Sequence, residues 1–174
     1  NSPGIPQSFY SRRIGRQPQG NASSARSDIA YSDSPLQTSI AGAAKVSGKT
    51  DNGFSLGILN AFTLREKAQF QTTGGQDGSV SVEPPTNYFV GRVKQDYDDG
   101  NTAVGGYLSA TNRMIGTDYL NESLHSSAYV GGVDFEHGWN NRDWVVSGVL
   151  TGSTVQGTTE AINRTQTNST HYYN

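Results

Sequence analysis

The sequence contains no cysteine among its 174 residues. Disulfide bonds, thiol nucleophiles and cysteine-based metal sites are therefore excluded as sources of its chemistry. Charged residues are also scarce, at 16% of the composition with a net charge of −2. Because there is no basic stripe of the kind that holds phosphates, we expect no nucleic-acid partner. Long apolar runs are missing as well, and none approaches the roughly 18 residues that a membrane-spanning helix needs.

Apolar residues are few, yet the composition is not that of a disordered chain. Only 33% of residues are hydrophobic, while there are 21 glycines. Disorder usually combines low hydrophobicity with high net charge, and the net charge here is small. A membrane β-sheet that is apolar on one face and lined with small, hydroxyl and charged residues on the other produces such averages. The composition therefore favours a sheet of this kind.

Three tight polar turns each join two runs of about a dozen residues with alternating character. The turns are Asp51-Asn52-Gly53, Asp98-Asp99-Gly100-Asn101 and Asn140-Asn141-Arg142. Strands of globular proteins usually have about five or six residues, whereas a tilted strand needs about ten to cross a bilayer. The predicted hairpins are 40–50 with 54–65, 87–97 with 102–113, and 127–139 with 143–155, and a further strand is predicted near His171.

The connections at the other ends of these hairpins are longer, at 66–86, 114–126 and 156–168. Short turns at one rim and long loops at the other are typical of bacterial outer-membrane barrels, with the short turns in the periplasm. The predicted fold class is therefore all-β, an antiparallel transmembrane β-barrel with about six to seven strands in this sequence. Because single-chain barrels begin at eight strands, we expect residues 39–174 to be the first hairpins of a larger barrel, incomplete at the C-terminus.

The N-terminal stretch differs from the rest of the chain. Residues 1–38 are rich in Pro, Ser, Gly and Arg and show no sustained period. We interpret them as a linker, a lumen-filling segment or a loop. They contain no signal-peptide apolar region, so we expect any export signal to lie outside this sequence. Three arginines at positions 12, 13 and 16 are predicted to pair with lumen carboxylates, and the alternative is that they bind acidic glycans or lipid phosphates.

Alternation within the predicted strands separates an apolar face from a polar one. In 54–64 the even positions are mostly large and apolar, and the same holds for the odd positions of 89–97 and the even positions of 143–153. Asn60, Gln95 and His137 are exceptions on the apolar face. The residues predicted to face the lumen from the opposite side are Lys45, Lys49, Arg65, Arg92, Lys94, Asp96, Arg113, Asp134, Glu136 and Asp143.

Four aromatic residues lie close to the tight turns on the predicted outer face. They are Phe54, Tyr97, Trp139 and Trp144. Aromatic girdles of membrane barrels occupy this level, where the amphipathic rings meet the lipid headgroups. We therefore predict an interfacial girdle, and the alternative is the core of a soluble β-sandwich.

Several phrases of the sequence, taken in order, resemble one family. They are FYSRRIGR (9–16), GAAKVSGKTDNGFSLGILNAFT (42–63), VEPPTNYFVGRVKQDYDDGNTAVGGYLSATNR (82–113), AYVGGVDFEHGW (128–139) and SGVLTGSTVQGTTEAINRTQTNSTHYY (147–173). The chain resembles the β-rich region of unknown function found downstream of a carbohydrate-binding-module-family-9-like domain in long envelope proteins of Gram-negative bacteria. The resemblance implies a barrel in the bacterial outer membrane attached to a glycan-binding module. It supplies no catalytic residues.

Few residues are arranged for catalysis or metal binding. Asp134 and Glu136 share one strand face, and glycoside hydrolases use carboxyl pairs at about this separation. Because the same face carries both signs of charge, cross-strand ion pairing is the favoured explanation. His125, His137 and His171 lie in separate segments without ligand spacing, and Asp98 to Asn101 have turn chemistry rather than a calcium-loop pattern. We therefore expect no enzymatic activity, no metal and no cofactor.

The predicted function is that of an outer-membrane β-barrel segment which binds or passes carbohydrate or another polar solute. The expected partners are membrane lipid or lipopolysaccharide, with a glycan and other envelope proteins as further candidates. One alternative is a structural barrel that anchors a glycan-binding domain or docks in an envelope complex. Another is a secreted all-β glycan-active enzyme or lectin.

Overall fold

A computed structural model describes residues 14–116 and 118–167 of the chain, and these residues form nine β-strands in two antiparallel sheets. The strands are β1 Ile29–Asp33, β2 Ile40–Lys49, β3 Phe54–Thr63, β4 Glu66–Thr72, β5 Asp77–Glu83, β6 Thr86–Tyr97, β7 Thr102–Arg113, β8 Ser127–Trp139 and β9 Trp144–Gln156. Three short helices accompany them, α1 Ala22–Ala25, α2 Asp118–Asn121 and α3 Thr159–Gln166. The predicted all-β antiparallel class is confirmed.

The larger sheet has six strands in the order β2-β3-β6-β7-β8-β9, and every neighbouring pair is antiparallel. The strands have 10 residues in β2 and β3, 12 in β6 and β7, and 13 in β8 and β9. The three predicted hairpins are all present. Strands β2 and β9 are the two edges of this sheet, and every residue in them is exposed.

The register of the six strands places apolar and charged residues on opposite faces. One row of opposed residues runs Gln95, Val104, Phe135 and Gly148 across four neighbouring strands. The adjacent row runs Lys94, Gly105, Asp134 and Val149 on the other side. We call the first side the apolar face; it carries Val93, Val104, Leu108, Val133, Phe135 and Leu150. We call the second side the polar face; it carries Arg92, Lys94, Asp96, Asp134 and Glu136.

The tight turns use left-handed backbone. Gly53 has φ of 84° in the first turn. The second turn has positive φ at three consecutive residues, Asp98 to Gly100, and the third has it at Asn140 to Arg142. Asn and Asp tolerate this region better than other side-chain-bearing residues. The composition of these turns therefore explains why the chain reverses here.

The second sheet has three strands in the order β1-β4-β5, and it corrects a sequence-based prediction. Residues 66–86 were predicted to be a loop, but β4 and β5 occupy most of them. Thr63 pairs with Thr86 and Glu66 pairs with Glu83, so β4 and β5 extend the β3–β6 hairpin, and the register then shifts by one residue between Glu66 and Lys67. Between the two sheets the ladder is interrupted at Pro84-Pro85, because proline has no backbone N–H to donate.

The N-terminal part of the described chain packs against this second sheet. Strand β1 pairs with β4, although no strand was predicted in residues 1–38. Asn21 caps α1 by accepting a hydrogen bond from the Ser24 amide at 2.8 Å. A small hydrophobic core joins α1 to the second sheet. It consists of Ala22, Ala68 and Val82, with Ile29, Phe70 and Val80 packed around them. Residues 1–13, including Arg12 and Arg13, lie outside the described part.

The two remaining predicted loops each contain a short helix. Helix α2 lies within 114–126, and its Leu120 is fully buried. Helix α3 lies within 156–168 and is capped by Thr158, whose hydroxyl also donates to the carbonyl oxygen of Asn121 at 2.7 Å. None of the helices formed by the described residues combines the length and apolar character needed to cross a membrane. The strand predicted near His171 lies outside the described residues.

Candidate functional site

The polar face brings together most of the residues that the sequence predicted to face a lumen. Lys45, Lys49, Arg92, Lys94, Asp96, Arg113, Asp134 and Glu136 lie in strands of the six-stranded sheet at polar-face positions. The other two predicted residues lie outside the strands. Arg65 is exposed in the break between β3 and β4, and Asp143 closes the third turn by donating its backbone N–H to the carbonyl oxygen of Asn140 at 3.1 Å.

The centre of the polar face is a forked ion pair between Arg92 and Asp134. The guanidinium donates from both terminal nitrogens, one to each carboxylate oxygen, and the Nη2–Oδ2 distance is 2.8 Å. The pair lies over Gly105, which is directly opposite Asp134. A Cβ atom at Gly105 would come within 2.8 Å of Arg92 Nη2 and 2.9 Å of Asp134 Oδ1. The pair therefore depends on the absence of a side chain beneath it.

Tyr107 lies next to this pair and crosses the neighbouring strand. It is directly opposite Arg92 on one side and Gly132 on the other. Its hydroxyl is 2.6 Å from Oγ1 of Thr151 on β9, so the side chain passes over β8. A Cβ atom at Gly132 would be 2.9 Å from both Cε1 and the hydroxyl oxygen of Tyr107. A second glycine thus provides the space in which a polar-face side chain lies along the sheet.

A second group of ion pairs lies near the tight turns. Asp96 accepts from Lys49 Nζ at 3.0 Å and from Lys94 Nζ at 2.8 Å. Glu136 pairs with Arg142 of the third turn, and Arg142 also donates from Nη1 to the carbonyl oxygen of Gly100 at 2.8 Å. The Lys49–Asp96 pair joins two strands, whereas Lys94–Asp96 lies within β6 and Glu136–Arg142 joins β8 to the third turn. Arg142 was not among the predicted site residues, because its position in a turn does not indicate which groups its side chain contacts.

The end of the polar face away from the tight turns is buried. Thr63, Thr86 and Tyr88 are 1%, 0% and 6% exposed, respectively. Arg113 ends β7 here and donates from Nη1 to the carbonyl oxygen of His125 at 2.9 Å, while its Nε is buried without a hydrogen-bond partner in the described part of the chain. Burial, followed by the charge of Arg113, lowers the pKa of the His125 imidazole.

A buried carboxylate in the second sheet was missed by the sequence analysis. Glu83 is 1% exposed, and its Oε2 accepts the backbone N–H of Gln19 at 2.8 Å. Nearby, burial and then the negative charge of Glu83 raise the pKa of the Tyr119 hydroxyl. Arg16, predicted to meet lumen carboxylates, contributes its carbonyl oxygen to the amide and hydroxyl of Thr38. No local pattern marks Glu83, because the Gln19 amide comes from 64 positions away.

The four predicted girdle residues lie on the apolar face beside the tight turns. Phe54, Tyr97, Trp139 and Trp144 are 37%, 53%, 49% and 69% exposed. Trp139 and Trp144 are directly opposite each other on β8 and β9. The rings therefore form an exposed aromatic row at one end of the sheet.

The three polar exceptions on the apolar face all have hydrogen-bond partners. Gln95 Nε2 donates to the carbonyl oxygens of Asn52 and Asp96 at 2.7 and 2.9 Å. His137 Nδ1 is 2.7 Å from the hydroxyl of Thr102, and its ring meets that of Trp139 edge to face at 4.8 Å. Asn60 Nδ2 donates to the carbonyl oxygen of Tyr88 at 3.2 Å and exchanges side-chain bonds with Asn87 at 3.3 Å. Each of these three side chains therefore has at least one hydrogen-bond partner within the protein.

Metal and carboxylate chemistry find little support in this geometry. Among residues 14–116 and 118–167 no three His, Cys, Asp or Glu side chains cluster as metal ligands. Asp134 and Glu136 are each engaged by a different arginine, Arg92 and Arg142. The polar face is therefore best described as a row of ion pairs and hydroxyl groups.

These features define an all-β protein built on a long antiparallel meander with one apolar and one charged face. The chain belongs to the family described as a domain of unknown function, DUF5916, whose sequence model covers residues 6–173. No curated protein and no solved structure matches the chain. The family match supports the resemblance to a β-rich family of unknown function, and the linkage to a carbohydrate-binding module stays a prediction.

Proposed function

We propose that the six-stranded sheet forms part of the wall of an outer-membrane β-barrel, with its apolar face toward lipid and its polar face toward an aqueous lumen. The strongest support is the pattern of solvent exposure, in which large apolar side chains are exposed and central carboxylates are shielded. Val104, Val133 and Leu150 on the apolar face are 45%, 56% and 74% exposed. The side chains of Asp134 and Glu136 on the polar face are 12% and 18% exposed. Water-soluble proteins have the opposite distribution.

The apolar face is a poor surface for water and a suitable one for lipid. Removing one large apolar side chain from water contributes about 1.5–3 kcal/mol. A continuous row of such residues is otherwise expected at a protein–protein or membrane contact. Hydrogen-bonded Asn60, Gln95 and His137 reduce the cost of placing this face in lipid, because a polar group in hydrocarbon is expensive mainly when it lacks a partner.

Strand length and aromatic placement are consistent with the proposal. Strands of 10 to 13 residues are long enough to cross a bilayer when tilted. The row of Phe54, Tyr97, Trp139 and Trp144 lies at one level of the sheet, where an interfacial girdle is expected. In lipid the backbone groups at the β2 and β9 edges must also be paired. The proposal therefore includes further strands that pair with both edges.

The polar face favours binding or passage of a polar solute without chemistry. The carboxylates of this face, Asp96, Asp134 and Glu136, are each paired with lysine or arginine. Hydroxyl groups of Tyr107 and Thr151 lie in the same row as Arg92, beside the Arg92–Asp134 pair. Carbohydrate, which offers many hydroxyl groups and no net charge, fits such a surface. The resemblance to envelope proteins that carry a glycan-binding module points to the same solute class.

One observation favours a second candidate, a structural barrel that anchors a glycan-binding domain or docks in an envelope complex. The end of the polar face away from the tight turns is closed over, since Thr63, Thr86 and Tyr88 are buried. A lumen blocked at this end would not pass solutes, and the barrel would then serve as an anchor. The remaining alternative, a secreted glycan-active enzyme or lectin, requires a water-soluble protein.

Cysteine labelling of intact cells tests the membrane proposal. Asn52→Cys lies in the first tight turn, where β3 begins. Gln76→Cys lies between β4 and β5, at the opposite end of the hairpin that β3 and β6 form with these two strands. Both positions are exposed. We expect an impermeant thiol reagent to label the Gln76 variant and not the Asn52 variant in the full-length protein. Labelling of both positions, or extraction of the protein without detergent, would refute the barrel. Labelling of only the Asn52 variant would retain the barrel and reverse its orientation.

A further inference from the structure

We infer that Tyr107 and the Arg92–Asp134 pair form a binding site for a neutral oligosaccharide on the polar face. This inference rests on the proposed function, because it requires the polar face to line a solute-accessible lumen. It goes further by naming one location and one class of ligand.

The site is shaped by two glycines on neighbouring strands. Gly105 leaves room for the Arg92–Asp134 pair, and Gly132 leaves room for Tyr107. Because neither glycine has a side chain, the groups above them lie along the sheet instead of standing away from it. Arg92 and Tyr107 are directly opposite in register, so the two features adjoin. Together they form a broad surface on the polar face.

The polar atoms of this surface retain capacity for a ligand. A guanidinium has five N–H donors, and Arg92 uses two of them on Asp134. The described residues provide no partner for the other three. Each oxygen of Asp134 also keeps a free lone pair after accepting one bond. A sugar hydroxyl both donates and accepts, so it can bridge these two groups in a way that a simple ion cannot.

The aromatic ring contributes the apolar part of such a site. Sugar rings present C–H groups with partial positive charge, which are attracted to the negative face of an aromatic ring. The hydrogen bond between the hydroxyls of Tyr107 and Thr151, at 2.6 Å, restrains the ring before a ligand arrives. A restrained group loses less conformational entropy on binding than a free one. The arrangement therefore has the character of ligand sites, in which aromatic surface is combined with a few oriented polar groups.

The charge balance selects for a neutral ligand. Arg92 and Asp134 neutralise each other, and Lys94, in the same row as Asp134, pairs together with Lys49 to Asp96. An acidic ligand bound to the remaining donors of Arg92 would be repelled by the adjacent Asp134 carboxylate, and a basic ligand bound to Asp134 would be repelled by Arg92. A polyhydroxylated ligand contacts both groups without separating them.

Current block in planar bilayers tests the site with the full-length protein. The probes are maltohexaose, cellohexaose and mannohexaose, with hexagalacturonate as an acidic comparison. We expect at least one neutral hexasaccharide to block the wild-type current saturably. Tyr107→Ala should weaken that block at least tenfold, while Tyr107→Phe, which keeps the ring, should remain within about threefold.

Tyr129→Ala is the matched control, since Tyr129 lies on the apolar face of β8 and should leave the block unchanged. Equal weakening in both alanine variants, an unchanged block in Tyr107→Ala, or tighter binding of the acidic probe would each overturn the site. Absence of block by all three neutral probes would also overturn it, even if the labelling pattern of Gln76 and Asn52 upholds the barrel. A failed labelling test would instead refute the proposed function itself.

Discussion

Arg142 and Gly100 occupy equivalent positions in adjacent turns, and the Arg142 guanidinium donates to the Gly100 carbonyl oxygen at 2.8 Å. Each is the third of three consecutive residues with positive φ, at 69° for Arg142 and 87° for Gly100. Glycine adopts this conformation without steric cost, whereas a residue with a Cβ costs about 1–2 kcal/mol. The contacts of Arg142 with Gly100 and Glu136 offset part of that strain.

Substitutions at Arg142 should separate backbone strain from side-chain contacts. Arg142→Ala keeps the strained backbone and loses both contacts, so we expect the free energy of unfolding to fall by about 1 kcal/mol. Arg142→Gly also loses the contacts but relieves the strain, and we expect it to stay within about 0.5 kcal/mol of the wild type. Urea unfolding in detergent micelles measures both. A glycine variant less stable than the alanine variant would contradict this account.

Gly132 should tolerate no side chain, in contrast to a glycine on the next strand. A Cβ atom at Gly132 would lie 2.5 Å from the carbonyl oxygen of Leu150, which is backbone and cannot rotate away. We expect Gly132→Ala to lower the free energy of unfolding by about 2 kcal/mol, within the range for overpacking. Gly148→Ala is the control, because no atom lies within 4 Å of its added Cβ. Similar unfolding midpoints for the two variants would show that the sheet shifts to accommodate the methyl group.

The Arg92–Asp134 pair should show measurable coupling where an exposed pair does not. We expect a double-mutant cycle of Arg92→Gln and Asp134→Asn to give a coupling energy of about 1 kcal/mol, since the pair is forked and largely shielded. The same cycle on Arg26 and Asp28, whose side chains are 50% and 45% exposed, should give no coupling above error. The cycles are measured by urea unfolding at low and at high salt. Equal coupling in both pairs would remove the argument for a shielded polar face.

Acidification should loosen the contact between His125 and α3. Burial and the charge of Arg113 lower the folded-state pKa of His125 below its unfolded value of about 6.5. The unfolded state therefore binds more protons as the pH falls below that value, and the local stability is intact above it and declines beneath it. Since His125 Nε2 is 3.1 Å from the Thr165 hydroxyl, α3 should report the change.

Hydrogen exchange of α3 amides, corrected for intrinsic rates, measures this effect. We expect faster exchange at pH 5 than at pH 7.5 in the wild type, and a smaller difference in His125→Gln. If the variant retains the full pH dependence, another group is responsible.

The six-stranded sheet was predictable because its signal is local. Alternation over ten or more residues places each side chain on a face, and turns rich in Asp, Asn and Gly mark where the chain reverses. The polar exceptions Gln95 and His137 reduced the contrast between faces. The structure accounts for them through hydrogen bonds to Asn52 and Thr102, which come from other segments.

The second sheet was not predictable by the same reasoning. Its strands have five to seven residues, and irregularities in register interrupt β1 against β4 and β4 against β5. Such interruptions break the alternation on which the sequence argument depends. Glu83 was missed for a related reason, because its burial and its bond to Gln19 arise only from tertiary packing. The Tyr107 site was likewise hidden, since it depends on Gly105 lying opposite Asp134 and Gly132 lying opposite Tyr107.

The strand order also has a consequence for how the sheet assembles. Every strand of the larger sheet pairs with the one before it along the chain, apart from the insertion of β4 and β5, and these two extend the β3–β6 hairpin. Each pairing can therefore start at a turn or beside a pairing already formed, which keeps the loop closed at each step short. The hairpin from Phe54 to Tyr97 can close from the turn between β4 and β5 toward its open end at Phe54 and Tyr97. Successive hairpins can then add to its free edge, each new strand hydrogen-bonding to one already in place.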